Sequence, residues 1–263
     1  DDEDRENEGD LCVIGEYAMA DAINFMAKYG RGLICLALTR IRTEQLGLTM
    51  MERRNESRHE TAFTISIEAR EGVTTGISAA DRALTIKTAI DPNCGERDIT
   101  TPGHIFPLIA RDGGTLVRAG HTEAVVDIAR ACGSDNPSGV ICEIMKDDGE
   151  MARLPDLIGF AKEHDLKIAS IADLIAWRRR NESLVQRTVE SAITTRIGGE
   201  WRMVIYANTV SNIEHIALVK GDISAGDPIL VRMHALDLMA DLLGAVSEKR
   251  EGDELATAMA AIA

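Results

Sequence analysis

Over roughly the first 180 residues, short apolar runs alternate with stretches whose apolar residues recur at helical spacing. Residues 32–38 and 139–145 are continuous apolar runs, the pattern of strands buried on both faces. Residues 11–15 read as a short strand end, and residues 62–69 alternate as a strand does. Helical spacing appears in residues 16–29, where Met19, Ile23 and Met26 share a face and Gly30 is the stop. Ser78 is placed to cap a helix starting at Ala79. Further helices are predicted over 123–131, 154–163 and 171–180, with short strands at 114–119 and 167–170. Residues 52–60 form a polar loop, and 91–103, with Pro92 and Pro102, are loop-like. Strands alternating with helices imply an α/β sheet covered on both faces.

The pattern changes after Arg178-Arg179-Arg180. Residues 185–197, 200–208, 215–220 and 228–233 read as strands, followed by a helix over 236–249. The fold class is therefore α/β (α+β): a three-layer sandwich around a mixed β-sheet, then a smaller strand-rich α+β domain.

Composition narrows the function. With 263 residues and 45% hydrophobic content the chain can bury a substantial core, packed mainly by Ala, Ile, Leu, Val and Met because aromatics are only 3%. A formal net charge of −14 argues against nucleic-acid or anionic-membrane partners. The five cysteines are odd in number and form no C-x-x-C pair, so a reducing compartment, the cytoplasm, is expected rather than a disulfide framework. There is no signal peptide and no run of eighteen apolar residues. The chain starts inside a motif without an initiator Met, which reads as a piece of a longer protein.

That motif is D-D-E-D-R-E-N-E-G-D, seven acids and one base in ten residues. If it is extended, Asp4, Glu6, Glu8 and Asp10 share a face opposite Arg5 and Asn7. Four carboxylates that close need a cation, a base or raised pKa values. The stretch is either a solvated acidic tail or half of a metal and acid/base site. An EF-hand loop is excluded, because a loop starting at Asp4 puts Gly15 where the twelfth-position Glu belongs.

Three further stretches carry possible chemistry. In Arg118-Ala119-Gly120-His121-Thr122-Glu123, an arginine, a hydroxyl and a helix start could together hold a phosphate, and His121 could be a ligand or base. The alternative is an ordinary helix N-terminus. His104 follows the turn-like Pro102-Gly103 pair and is a base or a structural histidine. Glu143 ends an apolar strand, where burial would raise its pKa, or it is simply that strand's wet end. Together these groups suit proton transfers on a phosphorylated sugar beside a hard cation such as Mg²⁺.

The ordered words D-D-E-D-R-E-N-E-G-D, T-G-I-S-A-A-D-R, P-G-H-I-F-P-L, R-A-G-H-T-E-A and G-V-I-C-E-I-M-K-D-D-G-E-M-A-R resemble 3,4-dihydroxy-2-butanone-4-phosphate synthase of riboflavin biosynthesis, across residues 1–187. The resemblance implies a lyase that removes C4 of D-ribulose 5-phosphate as formate, using Mg²⁺ or Mn²⁺, as a homodimer with active sites near the interface. It implies Glu6 and His121 as metal ligands and Arg5, Asp10, Arg118, Ala119, Gly120 and Thr122 as substrate contacts. It makes His104, expected from the partner subunit, and Glu143 the catalytic pair. Glu8 is a supporting base, and Cys35 and Thr75 are further lining residues. The family carries a helix and a strand before the acidic motif, which also fits a piece of a longer protein.

Residues 188–263 resemble the start of GTP cyclohydrolase II in R-I-G-G-E-W-R, E-H-I-A-L-V-K-G-D-I and P-I-L-V-R-M-H. That family holds zinc with three cysteines. Here Asp237, Glu248 and Arg250 fall at or near those places, and no cysteine follows Cys142. No zinc and no cyclohydrolase activity are expected. The rival readings are a bifunctional enzyme that also acts on GTP, and a second domain that regulates or helps assembly.

Overall fold

A computed structural model describes residues 5–52, 61–210, 213–224, 226, 228–245 and 254–263. Asp4, residues 53–60 of the polar loop and residues 246–249 of the last expected helix lie outside the described residues. The chain divides into two compact units, Asp1–Glu182 and Ser183–Ala263.

The first unit is built on β1 (Asp10–Ile14), α1 (Ala20–Phe25, running on as a π-turn through Gly30), β2 (Cys35–Leu38), α2 (Arg40–Gln45), β3 (Ile67–Ala69) and α3 (Ala79–Ile90). It continues with β4 (Ile99–Ile109), α4 (His121–Ala131), β5 (Gly139–Glu143), α5 (Leu154–Glu163) and α6 (Ile171–Asn181). The strands form one sheet in the order β1-β5-β2-β4-β3. Among the described residues only β2 and β4 run parallel, so the sheet is mixed.

Alternation of side chains makes the three layers. Leu11, Leu36, Leu38, Ile67, Ile105, Val140 and Cys142 point to one face. There they pack with Ile23 of α1, Ile86 and Ala89 of α3 and Leu157 of α5. Cys35, Ala37, Leu108 and Ile141 point to the other, against Val125 and Val126 of α4. Each buried Leu, Ile or Val contributes roughly 1.5–3 kcal/mol.

Several local expectations change. Residues 99–103 are strand rather than loop. Successive β3–β4 pairs jump from Ile67↔Ile105 to Glu68↔Thr100, so Pro102 sits in a bulge where its missing N–H costs the ladder nothing. His104 therefore lies on a strand, not at a turn exit. The expected strand over 114–119 is a 3-10 turn, Gly114–Leu116, because Asp127 of α4 accepts both the N–H and the hydroxyl of Thr115, at 2.7 and 2.8 Å. Residues 167–170 pair with nothing among the described residues and lead into the Ser170 cap of α6. The 62–69 strand shortens to β3, preceded by single bridges at Phe63 and Thr64. α2, capped by Thr39, was not foreseen. Ser78 caps α3 as expected, accepting the Asp81 N–H at 3.0 Å.

The second unit is an antiparallel meander of β6 (Val185–Thr195), β7 (Gly199–Asn208) and β8 (Glu214–Val219). Trp201 and Val204 are its buried anchors, and the Trp201 ring N–H donates to the Ile197 carbonyl at 3.0 Å. Residues 228–233 make no strand pairing, and Leu230, Val231 and Met233 are exposed. Apolar content alone predicted a strand there, but among the described residues no neighbouring strand offers it a ladder. Of the expected helix over 236–249, the described part is a π-turn, Leu238–Leu242, and α7 (Glu254–Ile262) follows.

One buried ion pair ties the α4 layer together. The Asp127 carboxylate is fully buried and takes Arg178 of α6 at 2.7 Å, while Arg178 also donates to the Gly113 carbonyl and to Glu182. Removing one partner strands the other in low dielectric. Arg178→Ala is expected to cost roughly 3–5 kcal/mol in urea unfolding. Arg178→Lys should recover only part of this, because one ammonium cannot span the positions the planar guanidinium reaches.

Candidate active site

The acidic opening, α4 and β5 meet at one end of the sheet. Asp10 is the first residue of β1 and stands directly opposite Glu143, the last of β5. Opposed residues of a ladder share a face. That face is the one α4 covers, and α4 begins at His121. The His121 Nδ1 lies 3.4 Å from Asp10 Oδ1 and 3.7 Å from Glu6 Oε2.

Glu6 arrives by a route different from the one the sequence suggested. Residues 5–9 are not an extended strand: Arg5 and Glu6 are in a turn, and Asn7 has φ +54°. Arg153, which precedes α5, donates to the Glu6 carbonyl at 2.9 Å and also to that of Asn7. The Gly9 carbonyl accepts from the Ile144 N–H at 3.0 Å. The turn, not a pleat, points the acids inward. Arg5 Nη1 lies 3.5 Å from Glu6 Oε2.

The electrostatics follow from this crowding. The Asp10 side chain is 4% exposed, and its carboxyl is pushed up to about 7. Burial is the largest cause. The adjacent His121 pulls the value back, and Glu143, Glu6 and Glu8 push it further up. Glu8 is raised too, by burial first and then by Glu6, against the pull of Arg153. Asp10 Oδ1 is buried with no hydrogen-bond partner. Glu143 Oε2 accepts the Leu33 N–H at 2.8 Å, which fixes one oxygen at the strand end.

Beside His121, Arg118 is set by a buried acid. Its Nη1 is 2.6 Å from Glu123 Oε2, and its Nη2 donates to Thr61 Oγ1 at 3.2 Å. Glu123 is 1% exposed and also accepts the Arg111 N–H at 2.9 Å. Ala119 is partly buried, Gly120 is the helix cap in extended conformation, and Thr122 is buried. The first N–H groups of α4 thus face the same end of the sheet as the carboxylates.

The remaining expected residues are spread wider. Cys35 is 2% exposed in the core beneath this end, its thiol pushed up by burial and then by Glu143 and Asp10. Thr75 is exposed in the loop before α3. His104 is on β4, and its Nδ1 lies 2.9 Å from Glu68 Oε2. By alternation from Phe106, which pairs with Cys35, it is on the α4-facing side of the sheet. No contact joins it to the Asp10–His121 group among the described residues. Sequence reasoning missed Arg153, Glu123 and Glu68. Arg153 and Glu68 are set by partners far along the chain, so no local pattern marks them, whereas Glu123 stands in the same short motif as its partner Arg118.

A hard cation fits this donor set. Glu6 and His121 converge, and Asp10 Oδ1, which has no hydrogen bond, faces the same imidazole. No group of three or more His, Cys, Asp or Glu forms a metal cage among the described residues. A separate cavity of about 440 Å³, lined by Thr39, Arg42, Ala110, Arg111 and Arg130 among others, lies at the opposite end of β2 and β4 and includes none of these residues.

Asp10 makes stability depend on pH with a definite sign. Its folded pKa, about 7, exceeds the unfolded 3.8, so the native state holds a proton that the unfolded chain has lost between those values. The contribution is full below 3.8 and is lost as pH rises through 7. In urea titrations of metal-free protein, Asp10→Asn should flatten this decline and be the more stable protein at pH 8, by up to roughly 4 kcal/mol. A parent–variant difference independent of pH would refute the assignment.

Residues 1–177 match the family 3,4-dihydroxy-2-butanone 4-phosphate synthase, and residues 186–263 match GTP cyclohydrolase II. A Pseudomonas aeruginosa protein named 3,4-dihydroxy-2-butanone 4-phosphate synthase is 53% identical over 243 residues, 92% of this chain and 66% of that protein. The chain thus spans just under two thirds of that relative's length. RibBX of A. baumannii, a two-domain 3,4-dihydroxy-2-butanone 4-phosphate synthase, matches with a TM-score of 0.78 and 44% identity, over 99% of this chain and 74% of that one. A synthase structure in complex with two magnesium ions matches with a TM-score of 0.65 and 38% identity, over 68% of this chain and 88% of that one. The family model covers more than half of the chain and the solved structures share its fold: this chain belongs to the 3,4-dihydroxy-2-butanone 4-phosphate synthase family.

Proposed function

We propose that the first unit converts D-ribulose 5-phosphate to 3,4-dihydroxy-2-butanone 4-phosphate and formate, a lyase step of riboflavin biosynthesis, in the cytoplasm and as a homodimer. The observation that carries this is the convergence of Glu6, Glu8, Asp10 and Glu143 on His121 at one end of the sheet. The reaction needs repeated proton transfers on a phosphorylated sugar. Asp10, with a carboxyl at about 7, can take and return a proton near neutrality. Glu8, raised by burial, can back it. Glu143 is oriented by the Leu33 N–H for transfer through its other oxygen. Arg118, fixed by Glu123, and the first turn of α4 offer the phosphate a cationic grip and free N–H groups. Arg5 and Thr122 complete the sugar and phosphate contacts.

Glu6 and His121 would hold Mg²⁺ or Mn²⁺. A cation there supplies positive charge beside the sugar oxygens and so favours loss of the neighbouring carbon-bound proton. A relative bound to two magnesium ions supports the choice of metal.

The second unit is proposed to be inactive towards GTP and free of zinc. No cysteine follows Cys142. Asp237, at the place where the cyclohydrolase family has its first zinc cysteine, instead caps a turn by accepting the Met239 and Ala240 N–H groups.

A coupled formate assay tests both halves. Formate should appear from ribulose 5-phosphate with Mg²⁺, cease with EDTA and fall at least 100-fold in Glu6→Ala and His121→Ala, about 2.7 kcal/mol or more of transition-state stabilisation. No formate should appear from GTP. Full activity in both variants would refute the metal assignment, and turnover of GTP would refute the second.

A further inference from the structure

We propose that Glu68 is a positioning residue for His104, holding it as the Nδ1–H tautomer so that Nε2 is the proton-accepting atom. This deepens the proposed lyase reading and rests on it for the role of His104.

The geometry is that of an oriented imidazole. Glu68 Oε2 lies 2.9 Å from His104 Nδ1. The Glu68 side chain is 14% exposed, whereas that of His104 is 41% exposed, so the carboxylate is the buried end and the ring the open end of the pair. Glu68 sits between Ile67 and Ala69, which are 0% and 2% exposed, on a strand that cannot shift without disturbing the core. Its second oxygen, Oε1, is buried with no hydrogen-bond partner. A carboxylate placed for stability alone would be expected to satisfy both oxygens, because an unpaired buried one costs free energy.

The burial is itself constructed. The loop before α3 closes over Glu68 at Gly76, which has φ +88°; a Cβ there would come within 2.0 Å of Glu68 Oε1. Asp81 fixes this loop by accepting from the Thr74 N–H and hydroxyl and from the Gly76 N–H, at 3.1, 2.7 and 3.0 Å. The loop thus covers Oε1 and leaves Oε2 to His104. An exposed pair of this kind contributes little to stability. A buried carboxylate on one imidazole nitrogen instead selects the tautomer and fixes the ring so that the other nitrogen is the one presented for proton transfer. The proton balance is simple: Nε2 accepts a proton from the substrate, Nδ1–H stays bonded to Glu68, and Nε2 gives the proton back in a later step. Both residues come from one chain, so the pair is complete whichever active site His104 enters.

The test combines kinetics with ¹⁵N NMR of the histidine rings in the intact chain. Parent protein should show His104 protonated at Nδ1. Glu68→Gln keeps the shape but can present an N–H to Nδ1, so it should move the proton to Nε2. It should also lower kcat about 100-fold while KM stays within threefold, with the thermal midpoint nearly unchanged. Glu68→Asp, which keeps the charge, should recover part of the loss. A purely structural Glu68 would shift the midpoint and leave kcat of the folded enzyme alone. An Nε2–H tautomer in the parent, or a Glu68→Gln enzyme with kcat within twofold of parent, would overturn the proposal. If the parent releases no formate, the lyase reading fails, and the tautomer measurement still decides the Glu68 assignment.

Discussion

Two carboxylates face each other across an antiparallel pair, and much of the first unit is arranged to tolerate it. Asp10 and Glu143 are opposed at the end of the β1–β5 ladder, where like charges repel and burial penalises the Asp10 carboxylate. The fold offsets this locally. His121 comes to 3.4 Å from one, the Leu33 N–H is given to the other, and the Asp10 carboxyl shifts towards neutrality. None of these is strong alone. Together they leave a group with an accessible proton, which an ordinary solvated aspartate lacks at neutral pH.

α4 is the element through which these demands meet. Its first residue supplies His121, and its middle buries Val125 and Val126 against the sheet. Its last two turns place Asp127 to bind Arg178 and Arg130. A small helix shift would therefore register both in the core and in the His121–Asp10 distance. Close packing on one side and a charged network on the other hold the imidazole in place. Arg153 does the same for the acidic turn, reaching two successive carbonyls from the base of α5.

How much of this was legible in the sequence depends on the range of the interaction. The buried runs that became β2 and β5, the Ser78 cap that starts α3 and the helix over 123–131 follow from local pattern, and they were readable. Pro102 misled because its penalty depends on whether the ladder needs its N–H, and the register shift that removes that need lies in a different strand. The 3-10 turn at Gly114–Leu116 is set by Asp127 from a helix further on. The family resemblance pointed to Glu6 and His121 as a pair, but not to the left-handed turn at Asn7 that joins them. Glu68 carries no local signal, since its partner His104 is on another strand and an isolated glutamate in a strand is usually solvated.

Gly32 gives this arrangement a genetic consequence. A Cβ at that position would sit 2.5 Å from both the backbone oxygen and the Oε2 of Glu143, with the Glu143 N–H at 2.7 Å. The smallest possible side chain therefore displaces a carboxylate rather than filling a gap. With Glu143 in the role proposed for it, Gly32→Ala would lower activity as a change to Glu143 itself does, although residue 32 has no side chain with which to touch a substrate. Alleles of this kind map the space that a functional group occupies, and they can be found before anyone knows which group it is.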